Sequence, residues 1–397
     1  MSAHPSSIVC GERGAVPNFL TVGTLLLRYV SIKTENNAMP DAPPSSRPAR
    51  SSVSAQGDGA PAAADALLAN RSIPTSLDAI RTPVQGELEA FQEYFRESMR
   101  SDHMLLDKIT QYVLRQKGKR IRPLLVLLSA KVCGGSVTET SYRAAALVEL
   151  LHTATLVHDD VVDDADERRG VFSINALWKN KIAVLLGDFL LSRGLLLSLD
   201  HHDYTVLHTL SDAVRRMSEG ELLQIEKSRL LNIDEETYFR IIGDKTASLI
   251  SACTKSGAVS TTDDEAIIEH MHQFGERLGL AFQIRDDLFD FGVQDAGKPV
   301  GIDLQEKKLT LPLIVALRTA SRRERRRIMK VVRKDDKSRD DLRTVTQFVT
   351  EQGGIAYARD AMEEHAHAAL QHLEDLPPSP ARDSLVGLTQ FTIERDR

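Results

Sequence analysis

The 397-residue sequence contains little cysteine, few aromatic side chains and no excess of charge of one sign. Its three cysteines (Cys10, Cys133 and Cys253) are far apart and form no CxxC pair. This argues against a disulfide framework or a cysteine zinc site and is typical of a reducing compartment. Aromatic residues make up 5%, with one Trp, so helices are favoured over a β-sandwich. Fifty basic and 56 acidic residues give a net charge of −6, which does not favour a broad nucleic-acid surface.

The sequence also has no long hydrophobic run without charges. The most apolar stretch, residues 182–199, contains Asp188 and Arg193, and such side chains cost about 2.5–3.5 kcal/mol each at the centre of a membrane helix. The apolar patch at residues 16–30 has polar interruptions, and no small-residue cleavage pattern follows it. We therefore expect a cytoplasmic protein with no transmembrane segment.

Composition divides the chain into two parts. From Pro40 to Ala69, 21 of 30 residues are Ala, Pro, Ser or Gly, a composition that buries too little apolar surface to offset the entropy of ordering. We therefore predict a disordered Ala/Pro/Ser-rich extension over residues 1–85, with Met39 as an alternative start. Beyond it, apolar residues recur at spacings of three and four, and strand-like alternation is hardly visible. Residues 86–397 are thus predicted to form one all-α domain.

Two aspartate clusters stand out within these helices. In residues 156–164, LVHDDVVDD, Asp159 and Asp163 lie four positions apart and project from one helix face. In residues 282–290, FQIRDDLFD, Asp286 and Asp290 repeat that spacing. Like charges at this spacing destabilise a helix unless a cation lies between them. Carboxylate oxygens without a nearby thiolate suit a hard ion such as Mg²⁺.

Basic segments accompany the acidic clusters. The loop at residues 118–123 reads GKRIRP, and Arg168 and Arg169 follow the first cluster. Arginine binds phosphate oxygens bidentately and lysine contributes a point charge. Because few carboxylates are present, substrate oxygens are needed to complete an octahedral Mg²⁺ site, and diphosphates are the usual source. The loop lacks the GxxxxGK[ST] pattern, so it is not an ordinary P-loop.

With these motifs, the chain from about Gly86 to Arg397 resembles the trans-polyprenyl diphosphate synthases, the polyprenyl synthetase family. The pair Lys245-Thr246 and the segment GKPVG at residues 297–301 add to the resemblance. It implies a single-domain antiparallel helical bundle around a central cavity, of isoprenoid synthase type, which is usually a homodimer. It also implies a Mg²⁺-dependent transferase that condenses isopentenyl diphosphate with an allylic diphosphate such as farnesyl diphosphate.

The resemblance further implies roles for individual residues. Asp159, Asp163 and Asp286 are expected to ligate Mg²⁺, with Asp160, Asp287 and Asp290 in support. Isopentenyl diphosphate is expected to bind Lys119, Arg122, His152 and Arg169. The allylic diphosphate is expected to contact Arg168, Lys245, Thr246, Gln283 and Lys298. The predicted catalytic set is Asp159, Asp160, Asp163, Lys245, Asp286 and Asp287.

Three features carry further expectations. Lys307 replaces a glycine that the family often has before Lys308, so the contact of Lys308 with the diphosphate is less secure. Ala154, five positions before Asp159, is small where a bulky aromatic residue gives short products in this family, so it predicts a medium or long polyprenyl chain for quinone side chains. The basic run at residues 322–327 is interpreted as a solvated helix, with contact to anionic lipid as an alternative.

Other functions remain open on the sequence alone. A farnesyl or geranylgeranyl diphosphate synthase would share both aspartate motifs. A class I terpene cyclase also ionises allylic diphosphates, but it usually has a different second cluster and does not need Lys119, Arg122 or His152. A subunit of a heteromeric synthase is a third possibility, although a regulatory subunit would be expected to have degraded aspartate motifs, and both are intact here.

Overall fold

The computed structural model describes residues 73–115, 118–163, 167–168, 171–292 and 301–394. The first 72 residues, Arg169, Lys298 and the last three residues lie outside these ranges, as do the predictions made for them. The side chain of Arg168 is likewise not described.

The described chain is almost entirely helical, which confirms the all-α prediction. Its strands, β1 (Glu167–Arg168) and β2 (Val171–Phe172), form one two-residue antiparallel ladder. The helices in chain order are α1 (Leu77–Arg81), α2 (Gln85–Ser98), α3 (Met104–Arg115), α4 (Ile121–Gly134), α5 (Glu139–Val162), α6 (Ile174–Asp200), α7 (Tyr204–Leu230), α8 (Glu235–Ile242), α9 (Ser248–Val259), α10 (Glu265–Phe289), α11 (Ile302–Gln305), α12 (Leu311–Thr319), α13 (Arg322–Val332), α14 (Arg339–Glu351), α15 (Gly354–Glu374) and α16 (Pro380–Glu394).

Folded structure begins before the predicted boundary at residue 86. Helix α1 and the 3-10 turn Thr82–Val84 precede it, and Ile80 and Val84 have no exposed surface. The sequence argument failed here because these apolar residues are too few to give a period, and they are buried by contact with α2, α4 and α16.

Helix α9 lies at the centre and packs against α4, α5, α7 and α10. Small residues permit this crowding. A Cβ on Gly257 would lie 2.3 Å from the Val126 carbonyl oxygen on α4, and one on Gly279 of α10 would lie 2.5 Å from the Cα of Ala247. Contacts below 3.0 Å require the backbones to move apart, so these glycines set the helix spacing.

Two apolar clusters form the core, and α10 belongs to both. Its first half contributes Met271 and Phe274 to a cluster around α4, α5 and α9. Its second half contributes Ile284 and Leu288 to a cluster with α12–α15. The second aspartate motif therefore lies on a helix that is packed along its whole length, which gives its carboxylates fixed positions.

Candidate active site

The first aspartate cluster lies beyond one end of α9. Ser141, near the start of α5, hydrogen-bonds Ser260, which directly follows α9, and Glu149, farther along α5, is close enough to Cys253, earlier on α9, to add to the effect of burial in raising its pKa. The two helices therefore run antiparallel. At 1.5 Å per residue, Asp159 lies about 27 Å along α5 from Ser141. Helix α9 is about 18 Å long by the same rise. Asp159 is therefore about 9 Å beyond the first turn of α9.

The second aspartate cluster lies at the same level along the axis of α9, on a different helix. Gly279 of α10 lies beside Ala247, just before α9 begins, and Gly275 lies beside Ser251. Helix α10 is thus also antiparallel to α9. Asp286, seven residues past Gly279, extends about 10 Å beyond the start of α9. The two clusters, more than 120 residues apart in sequence, lie at the same end of the bundle.

The predicted cations lie at this end as well. Helix α4 runs parallel to α9, because Gly257 contacts Val126 while Thr261 hydrogen-bonds the Ala130 carbonyl oxygen. The N-terminus of α4 therefore lies near the start of α9. Lys119 precedes α4, and Arg122 is in its first turn. By the antiparallel register of α5 and α9, His152 is at a similar level, about 10 Å below Asp159.

Within the first motif the two neighbouring carboxylates have different environments. Asp160 is buried, whereas Asp159 is exposed and Asp163 is the exposed C-cap of α5. His158 packs on Gly187 of α6, with its Nε2 3.7 Å from Asp188. Asp159 and Asp163 are the members of this motif that a ligand reaches from solvent.

The second motif is held by a chain of hydrogen bonds. The Thr246 hydroxyl donates to Gln283 Oε1 at 2.8 Å, and Gln283 Nε2 donates to Asp287 at 2.9 Å. The hydroxyl of buried Tyr238 donates to the other oxygen of Asp287 at 2.7 Å. The Asp287 carboxylate is therefore fixed by protein donors on both oxygens.

Burial decides the protonation of Asp287. The pKa of Asp287 is raised to about 7, mainly by desolvation and also by Asp303 and Asp286, against the hydrogen bonds from Gln283 and Tyr238 that favour the charged form. Desolvation also raises the pKa values of Asp290 and Asp303. Each of these shifts marks a place where an added cation would stabilise the carboxylates.

Lys245 and Thr246 lie on the π-helical turn Gly243–Ala247, between α8 and α9. Such turns displace side chains from the regular helix and occur frequently at functional sites. Lys245 Nζ lies 3.2 Å from Gln224 Oε1 and forms an ion pair with Glu221, both on α7. The turn therefore directs its ammonium group toward α7.

These side chains line one cleft of about 180 Å³. Its polar lining includes Gln224, Lys245, Thr246, Gln283, Asp286, Asp287, Asp303 and Lys308. Acids and cations thus face each other across a space in which a phosphate group finds donors and a metal ion finds oxygens.

Lys308 lines this cleft although Lys307 replaces the expected glycine. Lys307 adopts φ 60°, the left-handed conformation that glycine favours, and its Nζ lies 2.5 Å from Asp335. Lys308 Nζ is 2.5 Å from Glu306 and 3.7 Å from Asp303. Burial lowers the pKa of Lys308, but these carboxylates outweigh it and the net shift is upward. The substitution therefore keeps the loop conformation.

The basic loop is held by two segments that are distant in sequence. Arg81 of α1 donates from Nη2 to the Lys119 carbonyl oxygen at 2.6 Å. Lys119 Nζ lies 6.0 Å from the ring centroid of Phe391 on α16. Arg120, between Lys119 and α4, has φ 47°. The position of the loop is thus fixed, and the chain enters α4 through a residue in the left-handed conformation.

The donors present fit a hard divalent cation. They are carboxylates without thiolates, and burial raises the pKa values of several of them. Within the described ranges, no group of three or more His, Cys, Asp or Glu side chains is arranged to hold a metal alone. An ion at either motif would therefore need additional oxygens, as a bound diphosphate provides.

Sequence reasoning missed several residues of this end of the bundle. Tyr238 and Asp303 belong to the second cluster, Glu221 and Gln224 bind Lys245, and Arg81 holds the basic loop. Tyr238 is part of an ordinary amphipathic helix and Arg81 precedes the predicted domain, so neither has a local signal. Asp303 had a weak signal in the sequence, because it is an acid close to the Lys307-Lys308 pair.

One helix of the described part, α6, is long and apolar enough by composition to cross a membrane. About a third of its most apolar window is buried in the protein, and core helices often have the same composition.

Comparison with known proteins agrees with this geometry. The polyprenyl synthetase family profile matches residues 103–349. An all-trans-nonaprenyl-diphosphate synthase (geranyl-diphosphate specific) of Rhodobacter capsulatus is 36% identical over 319 residues, 80% of this chain and 97% of its own length. The octaprenyl diphosphate synthase of Escherichia coli is 36% identical over 76% of this chain and 93% of its own length. The crystal structure of a decaprenyl diphosphate synthase from Rhodobacter capsulatus superposes with a TM-score of 0.76 at 36% identity, covering 81% of this chain and 100% of that one.

Proposed function

The chain belongs to the polyprenyl synthetase family, and from this premise we propose that it condenses isopentenyl diphosphate with an allylic diphosphate to make a medium- or long-chain all-trans polyprenyl diphosphate. The relatives named as octaprenyl and nonaprenyl synthases support the chain length. The observation that carries the mechanism is the position of both aspartate motifs at one end of α9, near the basic loop.

In this proposal Asp159, Asp163 and Asp286 would hold Mg²⁺, which would supply positive charge to stabilise the departing diphosphate. Asp160, Asp287 and Asp290 support them. Asp287 acts through its neighbours, since both of its oxygens accept hydrogen bonds from protein donors.

Cationic side chains neutralise the two diphosphates. Lys245 and Lys308, with Arg168 and Lys298, are proposed for the allylic diphosphate, and Lys119, Arg122, His152 and Arg169 for isopentenyl diphosphate. Fixed charges of this kind stabilise the leaving group without reorganising during the reaction. Thr246 and Gln283, which line the same cleft, are proposed to contact the allylic diphosphate and also to position Asp287, since Thr246 bonds Gln283 and Gln283 bonds Asp287.

After ionisation, the double bond of isopentenyl diphosphate attacks the allylic cation. A new carbon–carbon bond forms in place of the carbon–oxygen bond to diphosphate that broke on ionisation, and a proton is lost to give the trans double bond. The departing diphosphate is the proposed proton acceptor, because it lies beside the new bond.

We also propose a homodimer, located in the cytoplasm, formed through the outer face of α6. Leu185, Leu196 and Leu199 are 44–50% exposed and fall within one 60° sector of that helix at 100° per residue. Ser192 also lies in this sector, so the face is mainly but not entirely apolar, and exposed leucines that share one helix face are the basis of the proposed subunit interface. Light scattering should give twice the 44.0 kDa chain mass, and Leu196→Glu should give monomers. A monomeric wild type would contradict the dimer.

The reaction is tested by product analysis. The purified protein is incubated with labelled isopentenyl diphosphate and farnesyl diphosphate, with and without Mg²⁺, and the dephosphorylated products are sized by chromatography. We expect a medium- or long-chain prenol that requires Mg²⁺ and is lost in Asp159→Asn and Asp286→Asn. Folded protein that extends no allylic primer would contradict the proposal.

A further inference from the structure

Helix α13 presents a cationic face to solvent. At 100° per residue, Arg322, Arg323, Arg326, Arg327, Lys330 and Arg333, its C-cap, fall within a 140° sector. All six are exposed. On the opposite side, Ile328 and Val332 are completely buried. The helix is thus attached to the core by its apolar side, and its cations point outward.

Within the described part of the chain these cations are not paired one-to-one with carboxylates, and the only acid near them on the helix is Glu324, whose pKa is lowered by hydrogen bonds from Ser321 and also by Arg327. None of the six forms an ion pair with any residue that the structure describes. The one acid of the helix, Glu324, is bonded to Ser321 in the N-terminal capping box. Six like charges on three turns repel one another. This concentration is notable in a chain whose net charge is −6.

We propose that this face of α13 docks the enzyme on the surface of an anionic lipid bilayer. The assignment of a lipid partner rests on the proposed function, since a long polyprenyl diphosphate is too apolar to leave for water and is best released at a membrane. The face carries no exposed apolar residue, so the contact is electrostatic and does not insert. A chain with a pI of about 6.1 lacks the broad basic footprint of a nucleic-acid binder.

The expected strength follows from the number of charges. Each Lys or Arg near an anionic membrane surface contributes about 1 kcal/mol, or about fivefold in partitioning. Binding should therefore require anionic lipid and weaken steeply with salt, because the attraction is screened over about 8 Å at 0.15 M ionic strength.

The test is flotation of the full chain with vesicles of phosphatidylcholine alone or with 30% phosphatidylserine. The patch variant is Arg326→Glu with Lys330→Glu, at the centre of the sector. The matched control is Arg359→Glu with Lys108→Glu, which makes the same charge change at two exposed cations on α15 and α3. Substrates are absent, so binding is measured independently of turnover.

We expect the wild type and the control to bind the anionic vesicles only, and the patch variant to bind at least about 20-fold more weakly. Product formation without vesicles should be equal in all three proteins. Equal binding of both variants, or tighter binding of wild type to duplex DNA than to the vesicles at the same salt, would overturn the inference. A chain that floats with vesicles but forms no product would instead contradict the proposed function.

Discussion

The Thr246 hydroxyl donates a 2.8 Å hydrogen bond to Gln283 Oε1, and this bond joins the π-helical turn to the second aspartate motif. Gln283 was predicted from resemblance to contact the allylic diphosphate. That contact stays a prediction, and in the structure the amide hydrogen-bonds both Thr246 and Asp287. A change at the turn is therefore transmitted to the carboxylates through one side chain.

Tyr238→Phe should weaken catalysis without changing the shape of the core. The substitution removes one of the two side-chain donors to Asp287 while keeping the ring, and an unpaired buried acceptor costs about 1–3 kcal/mol. We expect lower stability in urea unfolding and about a tenfold fall in kcat. The neighbouring substitution Phe239→Leu serves as the control. Turnover of Tyr238→Phe within twofold of wild type would show that this bond does not position the motif.

Ala154→Phe should shorten the product. Ala154 is 3% exposed, one and a half turns before Asp159 on the helix along which the growing chain is proposed to extend. An aromatic ring there would block that path after few additions. Ala154→Gly keeps the space and is the control. Chromatography of the prenols measures both, and an unchanged chain-length distribution in Ala154→Phe would refute the assignment.

Arg81→Ala should raise the KM for isopentenyl diphosphate specifically. Arg81 fixes the carbonyl of Lys119, a residue proposed to bind that substrate. We expect an increase of about five- to tenfold, with kcat and the KM for the allylic substrate within twofold. Asp78→Ala, which removes the partner of Arg81 at 3.5 Å but leaves the Lys119 contact, should have little effect. Equal increases in both KM values would indicate general loosening instead.

The conformation of Lys307 predicts an order of stabilities. A β-branched residue at φ 60° is strained, whereas glycine is not. Lys307→Val should therefore be about 2 kcal/mol less stable than Lys307→Gly. Loss of the Asp335 pair is common to both, so it cancels from the comparison. Urea unfolding at neutral pH measures the difference, and equal midpoints would mean that the loop does not keep this conformation.

The free energy of unfolding should decrease as the pH is lowered, partly because of His365. Burial lowers its pKa, as does Arg277, which donates to its Nδ1 at 3.3 Å, and Glu364 opposes them. The unfolded state therefore binds a proton near pH 6.5 that the folded state does not bind until lower pH. The resulting stability is complete above pH 6.5 and is lost as the pH falls toward the lowered value.

His365→Gln removes this proton and still offers an acceptor to Arg277. Its unfolding midpoint should change less between pH 7.5 and 5.5 than that of wild type. His103→Gln, at an exposed position, is the matched control. Identical pH dependence in His365→Gln and wild type would assign the effect to other groups.

The sequence alone determined the helical class, the two aspartate motifs and the family, because each depends on the spacing of residues that are close together in the chain. Carboxylates four residues apart share a helix face in any helix. The confirmed all-α fold and the medium- or long-chain synthase relatives follow from these motifs and the resemblance they carry. The individual roles of the site residues stay predictions.

The tertiary structure decided what joins these motifs. The common level of Asp159 and Asp286 depends on how α5 and α10 are placed against α9, and that register is set by contacts such as Gly279 with Ala247. The bond of Tyr238 to Asp287 and that of Arg81 to Lys119 span 49 and 38 residues. Such contacts leave no periodicity in the sequence, because they form only where separate helices meet.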